Sequence, residues 1–442
     1  MRVWLAVLAS VFLASAPRPW AHEIPSDVTI RAFVKAEGSR LRVLVRIPLL
    51  AMRDMTWPAR APGVLDLGRA NSELDNAAML WLGAESRLYE GDEALPEPAV
   101  GAVRASLQSD RSFESYDQAL ALVTGPREPD ATNVTIEDDF LDVLFEYPIR
   151  SAGSRFSIDP RWGGLGLKTL TILRMVRPDG ERRFELEGDP GLVRLDPTWR
   201  QATSQFVGFG LSLLLAGAEP LLFLVCLVLP FRRIADVAVL VVPFTVAVST
   251  TLMASAYGYA PDALWFQPLI ETAVAATILY LAGGNIIGAR ADRRWREAVW
   301  FGLIFGFALA FPLHPTLQFA GTHVGLSLVS LALGIGLGEI VALAVFVPIA
   351  ARLFRFVVTD RVGTILGSAL AGHTAWHWLT ARTALLWQYR FAPPAFDLAF
   401  FAGLLRWAIF IVGVAGVVWI VSTLAEARQA KALRAERPES GT

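Results

Sequence analysis

Residues 322–350 read THVGLSLVSLALGIGLGEIVALAVFVPIA, with Glu339 as the single acidic residue and no lysine or arginine. A helix of about 20 mostly apolar residues is long enough to cross the hydrocarbon core of a bilayer. The whole chain has a mean hydropathy of +0.45 with 54% hydrophobic and 18% charged residues, which favours a membrane protein. The stretch therefore predicts a transmembrane helix.

Six further segments share this apolar character and length, although the fourth along the chain is short. They are residues 206–231, 234–256, 264–288, 298–313, 362–386 and 396–425. We expect an all-α bundle of about seven transmembrane helices over residues 204–425, followed by a cytoplasmic tail over residues 426–442.

Arginine and lysine residues predict the orientation of this bundle, because they concentrate in short cytoplasmic connections. They fall in alternate connections: Arg232, Arg233, Arg290, Arg293, Arg294, Arg296, Arg352, Arg355 and Arg361, and then the tail. The opposite connections are assigned only Arg382 and Arg390. We expect a multi-pass protein of the inner membrane with its C-terminus in the cytoplasm.

The first residues indicate a cleavable secretory signal over residues 1–21. Arg2 precedes an apolar stretch, residues 3–16, that is too short to span a bilayer and ends in small residues. Cleavage could follow Ala16 or Ala21, and cleavage after Ala21 would make His22 the new N-terminus. The segment that follows should then lie outside the cytoplasm.

Residues 22–200 predict a β-sandwich-like exported domain. Alternating apolar residues on both sides of Gly38-Ser39 indicate one hairpin, and Pro178-Asp179-Gly180 marks the turn of a second. Residues 112–122 favour a helix between strands. The fold class is thus mixed, with β structure first and a helical membrane bundle after it.

Charge and cysteine content limit the partners and the cross-links. Residues 22–200 carry 22 Arg/Lys and 29 Asp/Glu, so nucleic acid is not an expected partner. Cys226 is the single cysteine, so the exported domain cannot contain a disulfide. The lipid bilayer is the expected environment of the second half.

Ionisable side chains within apolar segments are costly in lipid and mark candidate functional residues. They are Glu219, Glu271, Glu339, His373, His377 and Arg406. His373 and His377 share one helix face and could bind a metal or pass a proton. Alternatively, they hydrogen-bond to neighbouring helices, or His377 joins Trp376 and Trp378 in an aromatic layer.

Three weaker candidates lie outside the apolar segments. A mature N-terminal His22 could chelate a transition metal through its amine and imidazole, or be a disordered terminal residue. His323 could capture metal at the outer surface or, like His314, be an ordinary surface residue. The acidic run Glu137, Asp138, Asp139 and Asp142 could attract a cation or form a solvated strand edge or turn.

Several short motifs resemble the HupE/UreJ family of nickel permeases and hydrogenase or urease accessory membrane proteins, in its long form with an exported domain. The motifs in order are Ala21-His22-Glu23-Ile24-Pro25, residues 217–223 (GAEPLLF), residues 227–230 (LVLP), residues 244–247 (FTVA), Glu271 with Asn285, and residues 301–306 (FGLIFG). The resemblance implies a membrane bundle and a divalent metal as substrate.

The family pattern has histidines at positions where this chain has Leu213, Val248 and Phe305. Its Asn and Glu in the fifth span are replaced by Ala332 and Gly336, and Glu339 stands where a Gln is usual. By this resemblance, Glu219, Glu271, Asn285 and Glu339 remain as candidates to bind a cation, with His373 and His377 in the sixth span.

Two functions follow as hypotheses. One is a transporter or permease for nickel, cobalt, copper or zinc, with no resident cofactor. The other is a membrane-anchored assembly protein whose exported domain recruits a partner protein. No enzymatic motif is visible, so we do not expect an enzyme.

Overall fold

The computed structural model describes residues 27–52, 55–231, 234–288 and 294–389, with nine single positions between 401 and 416. Outside the described residues lie the predicted signal, His22, Arg406 and the tail. The seventh predicted span lies mostly outside them. The chain divides into two compact units, one ending at Pro197 and the next beginning at Thr198.

The first unit is rich in β structure. Its strands are β1 Asp27–Glu37, β2 Arg40–Pro48, β3 Ala59–Ala61, β4 Val64–Leu65, β5 Ser86–Glu90, β6 Glu93–Ala94, β7 Ala99–Ser106, β8 Phe140–Pro148, β9 Phe156–Pro160, β10 Lys168–Arg177, β11 Gly180–Glu187 and β12 Val193–Arg194. The order in the largest sheet is β11-β10-β1-β2-β8-β7, and β12-β9-β5-β6 form a second sheet. The β1–β10 pair is parallel, whereas the other pairs of the largest sheet are antiparallel.

Both predicted hairpins are confirmed. β1 pairs with β2 through a turn at Gly38, whose φ of 59° favours glycine. β10 pairs with β11 through a turn that places Gly180 at a φ of 133°. Local turn residues therefore set both registers, as the sequence indicated.

The predicted helix at residues 112–122 is also present, as a 3₁₀ turn Ser112–Glu114 followed by the helix Tyr116–Thr124. Phe113 and Tyr116 pack with Phe33, Leu44 and Leu144, which align across β1, β2 and β8. This helix thus covers one face of the largest sheet.

A helical segment that was not predicted contacts the opposite face of the largest sheet. The helix α1 Asn71–Ala78 continues into a π-helical turn Met79–Gly83. A Cβ on Gly83 would lie 3.3 Å from the ring of Phe145, which neighbours Leu144 and points to the other face. The helix Tyr116–Thr124 is α2, and both helices contribute to the core.

The acidic run is solvated only in part, because Glu137 and Asp138 are exposed in a turn whereas Asp139 and Asp142 are buried. Asp142 is fully buried and accepts two hydrogen bonds of 2.7 Å from Arg46, itself only 2% exposed. Burial alone would lower the pKa of Arg46, but hydrogen bonds to Asp142 and Asp110 raise it. Asp139 accepts hydrogen bonds from the backbone N–H groups of Gln108 and Thr135. These carboxylates hold loops and strands together.

The second unit is helical. Its helices are α3 Trp199–Leu215, α4 Ala218–Val228, α5 Ile234–Ala256, α6 Phe266–Ile287, α7 Arg294–Ala310, α8 Leu313–Thr316, α9 Val324–Phe356 and α10 Asp360–Leu386. By length and composition, α6 and α9 could each cross a membrane. Four spans result if the bent pairs α3–α4 and α7 with Leu313–Ala320 are each counted as one. The predicted number of seven stays a prediction.

The first apolar segment is broken, because α3 and α4 meet at an angle of 68°. Pro220 lies in the first turn of α4, where its missing N–H removes no helical hydrogen bond. Pro243, by contrast, lies inside the helix α5. The break predicted for Pro220 or Pro243 is therefore found beside Pro220.

Glycines bring helix backbones into contact, as the spacing of Gly302 with Gly306 and Gly334 with Gly338 predicted. A Cβ on Gly306 would lie 2.3 Å from the carbonyl oxygen of Val248 on α5. A Cβ on Gly334 would lie 2.2 Å from the carbonyl oxygen of Val207 on α3. These positions fix α7 against α5 and α9 against α3.

Candidate functional site

The candidate site begins with a cavity of about 740 Å³ at one end of the helical unit. It lies where α5 ends, α6 begins and α10 ends, and we call this the Glu271 end. Its polar lining consists of Ser255, Asp262, Gln267, Glu271, His314 and Tyr389. Two carboxylates and an imidazole therefore face one space, and these are groups that bind cations.

Arg382 connects Glu271 to Glu219. Its Nη2 atom donates to Oε1 of Glu219, and its Nε atom lies 3.7 Å from Oε2 of Glu271. Its Nη1 atom donates to the backbone oxygen of Glu271 over 3.1 Å. Gln267 donates to Oε1 of Glu271 over 2.9 Å. One guanidinium thus neutralises one of two carboxylates, which leaves a formal charge of −1.

Helix ends place two of these side chains, Glu219 and Arg382. Glu219 lies in the first turn of α4, directly after the break, where the helix dipole favours a negative group. Arg382 lies in the penultimate turn of α10, close to the end of the helix. Discontinuous helices form the substrate and ion sites of many transport proteins.

The sequence interpretation assigned Arg382 to a connection, and that assignment was wrong. Arg382 lies within the helix Asp360–Leu386, and its side chain is mostly buried. An arginine four residues before the end of an apolar segment was the available signal. Its two partners could not be identified from the sequence, because they are 163 and 111 positions away.

Glu339 lies elsewhere in the unit. It is fully buried on α9, and its Oε2 atom contacts the hydroxyl of Thr245 on α5. That hydroxyl also lies 2.9 Å from the carbonyl oxygen of Val241, and it has one proton to donate. Oε1 of Glu339 has no hydrogen-bond partner. No cation contacts this carboxyl group among the described residues.

Asn285 is at the opposite end of α6 from Glu271. Fourteen residues of helix separate the two, which corresponds to about 21 Å. The amide nitrogen of Asn285 donates to the carbonyl oxygen of Cys226 over 2.9 Å and joins α6 to α4. Asn285 therefore has a structural contact and is not adjacent to the carboxylates.

His373 and His377 contact each other, as the helical spacing predicted. Their Nε2 atoms are 3.2 Å apart, and the rings meet edge to face. Both side chains are exposed on the surface of α10, and neither contacts a carboxylate among the described residues. Two nitrogens bound to one tetrahedral or square-planar metal would lie about 2.9–3.4 Å apart, so the observed spacing is compatible with a shared ion.

The remaining histidines differ in position. Nε2 of His314 lies 3.4 Å from the hydroxyl of Ser255, and His314 lines the cavity. His323 precedes α9, and its carbonyl accepts the N–H of Ser327. His22 lies outside the described residues.

Positions at which the resembled family has histidine are apolar and packed together here. Val248 and Phe305 are buried in one hydrophobic cluster, and Leu213 packs against it. Phe305 is 4.5 Å from Phe223, measured between ring centroids. These positions form core and offer no metal ligand.

Among the described residues, no group of three or more His, Cys, Asp or Glu side chains has metal-binding geometry. Glu219 and Glu271 can exchange the Arg382 guanidinium for another cation. The nitrogens of His373 and His377 can act as a pair of metal ligands. The structure brings together Glu219 with Glu271, and His373 with His377, but does not join Glu339 or Asn285 to either pair.

These features define a membrane-associated helical protein with a charged cluster beside a broken helix and a β-rich unit before it. Residues 191–382 match the family model described as HupE / UreJ protein. The match confirms the resemblance predicted from the sequence, and it covers most of the helical unit that carries the site. No curated protein matches this chain in sequence.

Proposed function

We propose that the helical unit is a permease for a divalent metal cation that enters through the cavity at the Glu271 end. The observation that carries this proposal is the bridge from Glu271, which lines that cavity, through Arg382 to Glu219. The match to the HupE / UreJ family supports a metal permease or an accessory membrane protein, and the resemblance favours nickel.

Arg382 is the resident counter-charge in this proposal. A divalent cation from the cavity binds Glu271 first and then competes with the guanidinium for both carboxylates. Because two carboxylates and one guanidinium carry a net negative charge, the cluster attracts a cation before Arg382 moves. When the ion leaves, Arg382 again pairs with both carboxylates and prevents their uncompensated burial.

The His373–His377 pair is a second position for the ion in the same proposal. Imidazole nitrogens favour nickel, copper, cobalt and zinc over magnesium and calcium. The pair would therefore select among divalent ions, while the carboxylates supply charge. The alternative function, recruitment of an exported partner by the β-rich unit, stays a prediction.

Uptake of radioactive nickel into proteoliposomes tests the proposal, with cobalt and zinc as competitors. We expect Glu271→Gln and Glu219→Gln to reduce uptake at least tenfold relative to the wild type. Glu297→Gln is the matched control, because Glu297 contacts Tyr280 and lies outside the cavity. The proposal fails if none of these metals moves above empty liposomes, or if Glu271→Gln transports like the control.

A further inference from the structure

A second cavity, of about 310 Å³, lies at the opposite end of the helical unit, which we call the Arg294 end. It is bounded by the segment after α4, the end of α6 and the beginnings of α7 and α10. Its lining residues are Pro230, Gly284, Asn285, Gly288, Arg294, Asp360, Arg361 and Thr364. It is separate from the site above, because the length of α6 lies between them.

Arg294 is the unusual member of this lining. It is 2% exposed, and its Nη1 atom has no hydrogen-bond partner. It forms no ion pair with the described residues, and the nearby Glu297 accepts a hydrogen bond from Tyr280. A buried guanidinium nitrogen without a hydrogen-bond partner is costly, and such groups are nearly always satisfied in folded proteins.

Arg361 brings a second guanidinium to the same cavity. It donates to the carbonyl oxygens of Asn285 and Ile286, over 3.1 and 2.6 Å, at the end of α6. Carbonyl oxygens satisfy its donors but do not cancel its charge, and it has no carboxylate partner among the described residues. Asp360 also lines the cavity, and it is not without an interaction partner.

Helix ends add to this positive potential. α7 begins at Arg294 and α10 begins at Asp360, so the first turns of two long helices adjoin the cavity. Unpaired N–H groups at helix N-termini favour anions. The C-terminal carbonyls of α6, which would oppose an anion, are those that Arg361 covers.

We infer that this cavity binds a phosphoryl oxyanion, held mainly by Arg294. Guanidinium groups match phosphate oxygens in geometry and charge. A phosphoryl group directs oxygens in several directions and can face both arginines, whereas a carboxylate presents two oxygens in one plane. The cavity has room for such a group with bound water, since a water molecule occupies about 30 Å³ in the liquid. The anion can be free phosphate or the headgroup of a phospholipid.

Two probes distinguish these sources on the full-length protein, purified in an uncharged detergent and phosphate-free buffer. Inorganic phosphate is titrated by calorimetry, and retention of phosphatidylglycerol is compared with that of phosphate-free monoglucosyl diacylglycerol by native mass spectrometry. The variants are Arg294→Gln and Arg294→Lys. The matched control is Arg296→Gln, because Arg296 is exposed two residues away and does not line the cavity.

We expect the wild type and Arg296→Gln to bind at least one probe about tenfold more tightly than Arg294→Gln, with Arg294→Lys between them. Binding of phosphate identifies a free anion, and selective retention of phosphatidylglycerol identifies a lipid headgroup. The inference would be overturned if Arg294→Gln bound each of the two probes as tightly as the wild type does. If Arg294→Gln does not fold, equal binding by the wild type and Arg294→Lys overturns it instead.

Discussion

Arg382 donates through Nη2 to Oε1 of Glu219, and this contact joins the end of α10 to the first turn of α4 across 163 positions of the chain. The same guanidinium lies 3.7 Å from Glu271 on α6. Three helices are therefore linked by one cation. A metal that binds these carboxylates must compete with a side chain that also stabilises the fold.

Removing the Arg382 guanidinium should destabilise the helical unit. We expect Arg382→Gln to lower the free energy of unfolding by about 1–3 kcal/mol, because hydrogen bonds to charged groups contribute in that range. In the double variant with Glu219→Gln the loss should be smaller than the sum of the two single losses. Thermal unfolding in detergent measures the stability of the two single variants and the double variant, with Arg296→Gln as control. Strictly additive losses would show that the two side chains are not coupled.

The two exposed histidines of α10 should contribute to metal binding. We expect His373→Ala with His377→Ala to weaken nickel binding at least tenfold, because a pair of nitrogens 3.2 Å apart is lost. Thr374→Ala is the control, since Thr374 is half-buried on the same helix and its hydroxyl donates to the carbonyl of Leu370. Equilibrium dialysis with nickel gives the affinities. Unchanged binding in the double variant would remove the histidines from the proposed path.

Glu339 should tolerate loss of its ability to ionise. A Gln side chain has the same shape and can donate to or accept from Thr245, so we expect Glu339→Gln to change stability by less than about 1 kcal/mol. Glu339→Lys should destabilise by several times more, because it buries an unpaired charge. Thermal unfolding of both variants checks this. A large loss in Glu339→Gln would indicate that a charged carboxylate has a cation partner there.

Close packing of α7 on α5 should make Gly306 intolerant of a side chain. We expect Gly306→Ala to destabilise by about 1–3 kcal/mol, since overpacking forces the helices apart. A Cβ on Gly283 meets nothing within 4 Å, so Gly283→Ala is the matched control and should be neutral or stabilising. The unfolding temperatures of Gly306→Ala and Gly283→Ala test this prediction. Equal temperatures would contradict the close contact of α7 with α5.

The β-rich unit should lose stability in acid through Asp196. Burial alone would raise the pKa of Asp196, but hydrogen bonds from Arg177 and Arg182 hold it below its ordinary value of 3.8. The unfolded chain therefore takes up the proton first as the pH falls. The stabilisation is complete above pH 3.8 and is lost as the pH falls through the lower pKa of the folded state.

Asp196→Asn tests this at two pH values. The variant should be less stable than the wild type at pH 7, and the difference should shrink towards pH 3. Protease resistance of the β-rich unit in the full-length protein measures both. The control is Asp92→Asn, because Asp92 is exposed and has no ion pair among the described residues. A difference that is constant with pH would exclude the carboxylate of Asp196 as its source.

Much of the local structure was predictable from the sequence. Alternation around Gly38 and around Gly180 gave two hairpins, because side chains of a strand point to opposite faces in turn. Apolar length indicated the helices α6 and α9, and a break was expected at Pro220 or Pro243, of which the structure shows the one beside Pro220. These signals lie within a few residues of one another, so they can be interpreted without knowledge of the fold.

The sequence indicated which residues belong to the candidate site, but not which of them contact one another. Glu219 and Glu271 were named from their apolar surroundings, but no local pattern indicated that Arg382 joins them. Asp142 was interpreted as part of a solvated edge, and the register of β2 on β8 instead places it directly opposite Arg46.

Two hairpins, the helix near residues 112–122 and the long apolar helices α6 and α9 were predictable from the sequence, because local periodicity, turn residues and apolar length are properties of neighbouring positions. The tertiary structure decided which charged groups meet, since Arg382, Arg294 and Arg46 acquire their surroundings only when distant helices and strands pack. A charge is stabilised by whatever lies within a few ångströms of it, and separation along the chain does not specify that distance.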